Sequence, residues 1–370
     1  MSVPLLDLRA QHARIRDEVV AAMMDIVDSQ LFILGAPVER LEQQVRELSH
    51  TKFAVGCASG TDALLLALKA LNCGPGDEVI TTPFTFFATA GTIHNVGARP
   101  VFADIDPKTF NILPEAAAAV RTSNTKAVVP VDLFGQMAEI ENVAAALPGV
   151  PIIEDAAQTI GARRSIDGEW WMAGEIATIG TFSFFPSKNL GGYGDGGMMV
   201  TQDQGLADRL RRLRMHGGAK QYFHDEVGFN SRLDALQAAV LGAKLPHLAS
   251  WSAKRRENAA YYSAALADVP DVTVPFIDQS NESIFNQYTL RVQKRDALQA
   301  HLKERGIGSA IYYPLPLHLQ PCFAYLGYKA GAFPESERAA NEVLSLPIYP
   351  ELSKAQLDEV IEGVRVFYGR

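Results

Sequence analysis

The alternation of short apolar segments with helical segments most constrains the fold of this chain. Five apolar runs bounded by turns are predicted as strands, at residues 53–58, 78–83, 99–106, 125–131 and 151–154. Helical sequence follows most of them, with hydrophobic residues three and four positions apart. Strands that alternate with helices form parallel sheets covered on both faces. The sequence therefore predicts an α/β fold.

The same pattern predicts where a ligand binds. In open parallel sheets, ligands sit at the carboxyl ends of the strands. Aromatic and polar side chains follow the predicted strand ends, namely Phe86, Asp132, Gln136, Asp155 and Gln158. We expect these residues to lie near one site.

The chain has 370 residues, 48% of them hydrophobic, which is enough for a large and a small domain with separate cores. Pro246 interrupts the long helix predicted to begin near residue 234. The strand and helices beyond it do not continue the regular alternation. We predict a large domain at residues 1–245 and a small α+β domain at residues 246–370.

Two amphipathic helices are predicted before the first strand, at residues 14–30 and 37–48. The loop between them contains Leu31, Phe32 and Ile33. A loop with this apolar content packs either against a partner subunit or in an internal groove, and the sequence leaves both open.

Composition excludes several classes of function. The net charge is −8, and no basic cluster with interleaved aromatic residues occurs, so nucleic acid and anionic membrane surfaces are poorly suited as binding partners of this chain. No run approaches the roughly 20 apolar residues of a membrane helix. The three cysteines form no CxxC pair, which favours a cytoplasmic location, and the eight histidines lack metal-binding spacing, so we expect no metal site.

A single lysine, Lys188, stands between the aromatic run at 181–185 and a glycine-dense loop at 191–197. Such an ammonium can form a Schiff base, because apolar packing lowers its pKa. We interpret the glycines as flexible backbone that lets Lys188 move between a cofactor and a substrate. The local alternative is a surface lysine in a turn.

The glycine loop also suggests another chemistry. Gly192, Gly194 and Gly197 satisfy the G-x-G-x-x-G pattern of dinucleotide-binding oxidoreductases. That pattern must open a helix, whereas residues 197–201 continue as a predicted strand. The match is therefore a weak signal.

Pyridoxal phosphate (PLP) bound to Lys188 would need a carboxylate, a phosphate site and a cover for its ring, and the sequence offers residues for each. Asp155 is a carboxylate at a strand end, suited to keeping the pyridine nitrogen protonated. Gly60, Thr61 and Ser183 offer a helix N-terminus and hydroxyls for a phosphate. Phe86 is a flat group that can cover the ring.

Six motifs together resemble the DegT/DnrJ/EryC1/StrS family of nucleotide-sugar aminotransferases. They occur in the family's order along nearly the whole chain: SGTDA at 59–63, PFTF at 83–86, EDAAQ at 154–158, SFFPSK at 183–188, GDGG at 194–197 and NSRLD at 230–234. The resemblance implies a fold-type I PLP enzyme with a mostly parallel seven-stranded sheet, and a homodimer with composite active sites.

The resemblance also implies individual roles. Lys188 would hold PLP covalently and then carry a proton, and Asp155 would pair with the ring nitrogen. Gln158 would bind near the phenolic oxygen, and Phe86 would stack on the ring. The phosphate would be bound by Gly60, Thr61 and Ser183, joined by Asn230 from the neighbouring subunit.

The implied reaction moves an amino group from an amino acid, L-glutamate by resemblance, to a ketone on a sugar carried by UDP or dTDP. Pyridoxamine phosphate (PMP) is the intermediate form of the cofactor. Related dehydratases have histidine at the Lys188 position, so the lysine favours amino transfer. A catalytically silent binding or regulatory protein with the same fold remains an alternative.

The segment 312–321 resembles the one that enzymes acting on 3-keto sugars place near the hexose, so we predict amination at C3, with a 4-keto sugar as the alternative. Tyr312, Tyr313 and His318 are its predicted substrate contacts, and the residue pair at 318–319 favours a neutral 6-deoxyhexose over a uronic acid. His216 and Arg232 are predicted contacts to a substrate carboxylate or diphosphate.

Overall fold

A computed structural model describes residues 2–369. The helices are α1 (Leu8–Ser29), α2 (Ala36–Leu48), α3 (Gly60–Ala70), α4 (Phe87–Asn95), α5 (Pro114–Ala119), α6 (Ile140–Ala146), α7 (Gln204–Leu213), α8 (Ala235–Lys244), α9 (Leu248–Leu266), α10 (Arg295–Glu304), α11 (Pro334–Glu342) and α12 (Lys354–Phe367). No helix within this range is both long and apolar enough to cross a membrane.

The strands are β1 (Phe53–Cys57), β2 (Glu78–Thr81), β3 (Arg99–Phe102), β4 (Thr125–Val129), β5 (Ile153–Asp155), β6 (Arg163–Ile166), β7 (Glu169–Met172), β8 (Ile179–Ser183), β9 (Gly197–Thr201), β10 (Val272–Thr273), β11 (Asn281–Glu282), β12 (Tyr288–Val292) and β13 (Val343–Leu346). Short 3-10 turns occur at Leu133–Gly135, Leu245–His247, Leu317–Leu319 and Pro321–Leu326.

A seven-stranded sheet forms the centre of the large unit, in the order β1-β9-β8-β5-β4-β2-β3. Parallel bridges from Val128 to Ile152 and from Val131 to Asp155 join β4 to β5. In this sheet β9 alone runs in the direction opposite to the other six strands, because the chain returns from β8 through a loop without a crossover helix. The predicted mostly parallel sheet is confirmed.

Hydrophobic cores lie on both faces of this sheet. Met199 packs on one face with the buried stripes of α3 and α7, whereas Met198 and Val200 pack on the other with α2 and α8. The alternation follows from the two-residue period of a strand. Helices on both faces leave the carboxyl edge of the parallel strands free for a site.

The C-terminal unit has its own core around the antiparallel sheet β10-β12-β13. Tyr262 of α9 and Tyr288 of β12 are fully buried there. Val3 packs in the same core and forms a parallel bridge with Ile307. A 3-10 turn at Leu245–His247 connects α8 to α9. The domain boundary between residues 245 and 246 stays a prediction.

A hairpin of β6 and β7 extends from the main sheet and pairs with β11. Its turn is Asp167-Gly168, and both residues have positive φ angles, 52° and 85°. This two-residue turn chemistry is typical of hairpins.

Arg214, which ends α7, ties three elements together. Its Nη1 donates to Glu42 Oε1 of α2 at 2.6 Å and to Gly56 O of β1 at 2.7 Å. The side chain is buried, whereas Arg211, one turn earlier, pairs with Asp208 at the surface.

We expect Arg214→Met to lower the free energy of unfolding by about 3 kcal/mol, because one partner of a buried ion pair is removed. Arg211→Met is the matched control and should change it by less than about 0.5 kcal/mol. Urea titration of the apoprotein measures both, and equal losses in the two variants would contradict this account.

Candidate active site

A cavity of about 670 Å³ lies at the carboxyl edge of the main sheet. Its wall brings together nine predicted site residues from distant parts of the sequence, namely Gly60, Thr61, Phe86, Asp155, Gln158, Ser183, Lys188, Tyr312 and Tyr313. The charged side chains among its described lining residues are Lys188, Asp155 and Asp195. The cavity therefore has one ammonium and two carboxylates.

Lys188 follows β8 in a turn closed by its N–H, which donates to Phe185 O at 2.8 Å. The side chain is half-buried. Burial lowers the pKa of Lys188 to about 8, and the nearby Asp155 carboxylate opposes this shift. A larger share of the amine is thus neutral and nucleophilic than for an ordinary lysine.

Asp155 is the last residue of β5 and is buried. Its Oδ2 accepts a hydrogen bond from Thr89 Oγ1 at 2.8 Å, and its Oδ1 accepts one from Ala157 N at 3.3 Å. Burial raises the pKa of Asp155, and Thr89 and Lys188 partly oppose this. A buried carboxylate at the cavity wall suits a protonated ring nitrogen.

Gln158 is held by two contacts. Its Oε1 accepts from Phe134 N at 2.7 Å, and its Nε2 donates to Tyr313 OH at 3.4 Å. The Phe86 ring is 56% exposed and lies 6.2 Å from the Tyr313 ring. An aromatic face is therefore open to the cavity.

The turn between β1 and α3 forms a cradle for an anion. Ser59 caps α3 by accepting from Asp62 N at 3.0 Å, and the first N–H groups of a helix have no intrahelical partner. A Cβ on Gly60 would lie 2.5 Å from Ser183 Cβ, and one on Gly197 would lie 2.3 Å from Ser59 O. Only glycine lets these segments approach, and the donors fit a phosphate.

The glycines after Lys188 do not form flexible backbone, so that interpretation was wrong. A Cβ on Gly191 would lie 2.3 Å from Pro186 O, and one on Gly192 would lie 2.7 Å from Gln237 Oε1. Lys244, the last residue of α8, donates to Gly191 O at 2.7 Å. The glycines permit close packing of the loop.

The structure does not bring His318 into the cavity, which corrects its predicted role as a substrate contact. Its side chain is fully buried, with Nε2 3.0 Å from Glu337 Oε1 and the ring 4.8 Å from that of Phe333. Burial lowers the pKa of His318, opposed by Glu337. It is a core histidine with a carboxylate partner.

His216, Arg232 and Asn230 also lie away from the cavity of their own chain. His216 and Arg232 line a second cavity of about 1290 Å³, together with residues 218–222. Asn230 is exposed and pairs with Met215. The neighbouring Ser231 donates to Asp62 Oδ2 at 2.7 Å, and Asp234 caps α8.

Thr89 is a site residue that the sequence did not single out. It lies in the first turn of α4, three positions after Phe86, and its hydroxyl bonds Asp155. The helical spacing from Phe86 was the available signal. Within residues 2–369, no group of three or more His, Cys, Asp or Glu residues could hold a metal ion.

The family model of the DegT/DnrJ/EryC1/StrS aminotransferases matches residues 13–365. The chain belongs to this family. The predicted fold class, the aminotransferase activity and PLP as cofactor are thereby confirmed.

Relatives match almost the full chain. A pleiotropic regulatory protein of Geobacillus stearothermophilus is 50% identical and covers 100% of this chain and 99% of its own length. A UDP-N-acetyl-3-dehydro-alpha-D-glucosamine 3-aminotransferase of Acidithiobacillus ferrooxidans is 44% identical, covering 98% and 97%. A UDP-2-acetamido-2-deoxy-3-oxo-D-glucuronate aminotransferase of Pseudomonas aeruginosa is 42% identical, covering 96% and 97%.

Solved structures share the fold over the whole chain. S. venezuelae DesV in complex with a ketimine intermediate has a TM-score of 0.96 at 40% identity, covering 100% of this chain and 99% of that one. The ntda protein of Bacillus subtilis with bound cofactor PMP has a TM-score of 0.92 at 28% identity, covering 100% and 86%.

The shifted pKa of Lys188 predicts how the apoprotein takes up PLP. The rate of covalent capture should rise with pH to a midpoint near 8, because the neutral amine reacts. Asp155→Asn should move this midpoint to lower pH, since it removes the negative charge that raises the pKa of Lys188 against the effect of burial. Stopped-flow absorbance across a pH series measures the midpoint.

Asp195→Asn is the matched control, because Asp195 lines the cavity but is not among the groups that act on Lys188. Its midpoint should equal that of the unchanged protein. A midpoint that stays fixed in Asp155→Asn would refute the coupling between Asp155 and Lys188.

Proposed function

We propose that this enzyme transfers the amino group of L-glutamate to C3 of a UDP- or dTDP-linked 3-keto sugar. The observation that carries the proposal is the placement of Lys188, Asp155 and the α3 anion cradle around one cavity. A Schiff-base amine, a partner for a ring nitrogen and a phosphate site are the three groups that PLP requires.

Bound PLP supplies an electron sink for charge that develops at the carbon losing or gaining a proton. Lys188 Nζ moves that proton, and its lowered pKa keeps part of it neutral near physiological pH. Asp155 would keep the ring nitrogen protonated. Gln158, anchored by Phe134 N, would bind near the phenolic oxygen, and Phe86 would cover the ring.

The side of the cavity formed by the C-terminal unit supports a neutral sugar. Its lining residues there are Gln287, Tyr312, Tyr313, Pro314, Leu315, Leu317 and Gln320, all uncharged. A uronic acid would place its carboxylate against this wall without a cation, which is costly in a partly dry site. The names of relatives that act at the 3-position favour C3 over C4.

We further propose a homodimer with composite active sites. The cofactor phosphate and a nucleotide diphosphate bring several negative charges to a cavity that has one ammonium of its own. Additional groups that could bind these phosphates are His216, Arg232 and Asn230, and they can reach the cavity only from a second copy of the chain. Leu31 and Ile33 are 72% and 55% exposed, which supports a partner against this loop.

The alternative function is a catalytically silent binding or regulatory protein, and one relative is named a pleiotropic regulatory protein. The chain keeps a half-buried lysine with a lowered pKa beside a buried carboxylate, and these groups serve catalysis. The cytoplasmic location stays a prediction.

A spectroscopic assay tests the substrate. L-Glutamate should convert the holoenzyme to its PMP form and remove the visible aldehyde band, which a matching keto sugar then restores. We expect UDP- or dTDP-linked neutral 3-keto sugars to restore the band faster than 4-keto sugars or 3-keto uronates. Failure of every sugar in the panel would rule out the proposed substrate class.

Mixed dimers test the composite site. Lys188→Ala and Asn230→Asp should each be inactive alone, the second because it sets a carboxylate against the phosphate. Dimers re-formed from a mixture of the two should regain part of the activity, since one site per heterodimer is intact. Mixing Lys188→Ala with Asp155→Ala is the control and should give no recovery, because these two residues serve the same chain's cavity.

A further inference from the structure

Two carboxyl groups lie directly behind the site and have no role in the chemistry described above. Asp132 follows β4, and Glu154 precedes Asp155 in β5. Both residues are 0% exposed. The parallel bridge between Val131 and Asp155 brings their two segments side by side, and the carboxyl group of each affects the pKa of the other. Two adjacent buried acids require an explanation, because isolated carboxylates are rarely buried without a cation.

The remaining contacts of the pair contain no positive charge. Asp132 Oδ1 accepts from Ala138 N at 2.8 Å, and its Oδ2 accepts from Thr159 Oγ1 at 2.7 Å. Glu154 Oε2 accepts from Gly174 N at 3.0 Å, whereas its Oε1 has no donor. The other charged group that acts on Asp132 among the described residues is Asp155, also a carboxyl.

A single proton on this pair of carboxyl groups would remove their mutual repulsion. Two ionised carboxylates at this place would repel each other and leave Glu154 Oε1 without a donor. A protonated Glu154 would instead donate to Asp132. Burial raises the pKa of both groups, and the neighbouring Asp132 raises that of Glu154 further. Asp132, which receives the hydrogen bond, stays the more acidic of the two.

We propose that Glu154 is a protonated acid in the working enzyme, that its O–H donates to the Asp132 carboxylate, and that this pair aims Asp155 and Gln158 into the cavity. The inference rests on the proposed function in one respect, because it takes Asp155 and Gln158 as cofactor contacts. Glu154 and Asp132 are positioning residues and do not touch the reacting atoms.

The positioning follows from what the Asp132 carboxylate holds. Thr159 lies in the turn that follows Asp155 and contains Gln158, and Ala138 lies at the end of the turn that begins at Asp132. The Asp132 N–H donates to Asp155 O at 3.1 Å. Within the second turn, Phe134 N donates to Gln158 Oε1 at 2.7 Å. One carboxylate thus joins the two turns, and the proton on Glu154 keeps it in place.

Infrared difference spectroscopy of the holoenzyme tests the proton directly. Glu154→Gln should lose the C=O stretching band of a protonated carboxylic acid at neutral pH and keep all carboxylate bands. Glu226→Gln is the control and should lose a carboxylate band, because Glu226 pairs with Arg209 at 2.8 Å. Loss of a carboxylate band in Glu154→Gln would overturn the proposal. This arm needs no substrate.

The donor half-reaction tests the positioning. Gln and Met both have nearly the length of Glu, but only Gln can donate to Asp132. Glu154→Gln should convert to the PMP form with L-glutamate within about twofold of the unchanged rate, and Glu154→Met should be about tenfold slower at saturating donor with little change in half-saturation. Equal rates in the two variants would overturn the positioning role.

The two proposals fail in different ways. If the unchanged holoenzyme does not react with L-glutamate, the proposed function is wrong, and the infrared result for Glu154 is unaffected. If Glu154→Met does not fold, the infrared band in Glu154→Gln still decides whether the proton is present.

Discussion

The electrostatic coupling between one ammonium and one buried carboxylate governs this site. Lys188 loses basicity through burial and Asp155 loses acidity through burial, and each partly offsets the shift of the other. These opposing effects give Lys188 a pKa suited to a general base and leave Asp155 a strong hydrogen-bond acceptor. The sheet brings the two residues together, because β5 and β8 are parallel neighbours and both end at the cavity.

Much of this arrangement could be predicted from sequence. The strand ends at Asp155 and Ser183 are marked by apolar runs, and parallel strands bring such ends to one edge. Lys188 follows in the next turn, so its approach to Asp155 follows from topology. The cradle at Gly60 was predictable for the same reason, since it opens the helix after β1.

Other parts depend on packing that a linear pattern does not encode. His318 has the residue type of a ligand contact, but its burial depends on Glu337 and Phe333. The glycines after Lys188 resemble a mobile loop in sequence, yet residues of α8 fill the space beside them. The hairpin at Asp167-Gly168 had a turn signal, but the strands on either side are only partly buried and lack clear alternation.

The pairing of Val3 with Ile307 has a consequence for the order of folding. The N-H of Val3 donates to Gly306 O at 3.0 Å, and Gly308 N donates to Val3 O at 2.8 Å. On the ribosome, Val3 cannot find this partner until residues 306–308 have been synthesised. Tyr312 and Tyr313 emerge only shortly afterwards, so the main sheet can form before the cavity has its last wall. The nascent enzyme thus becomes able to enclose a substrate only after residues 312–320 of the cavity wall have been synthesised.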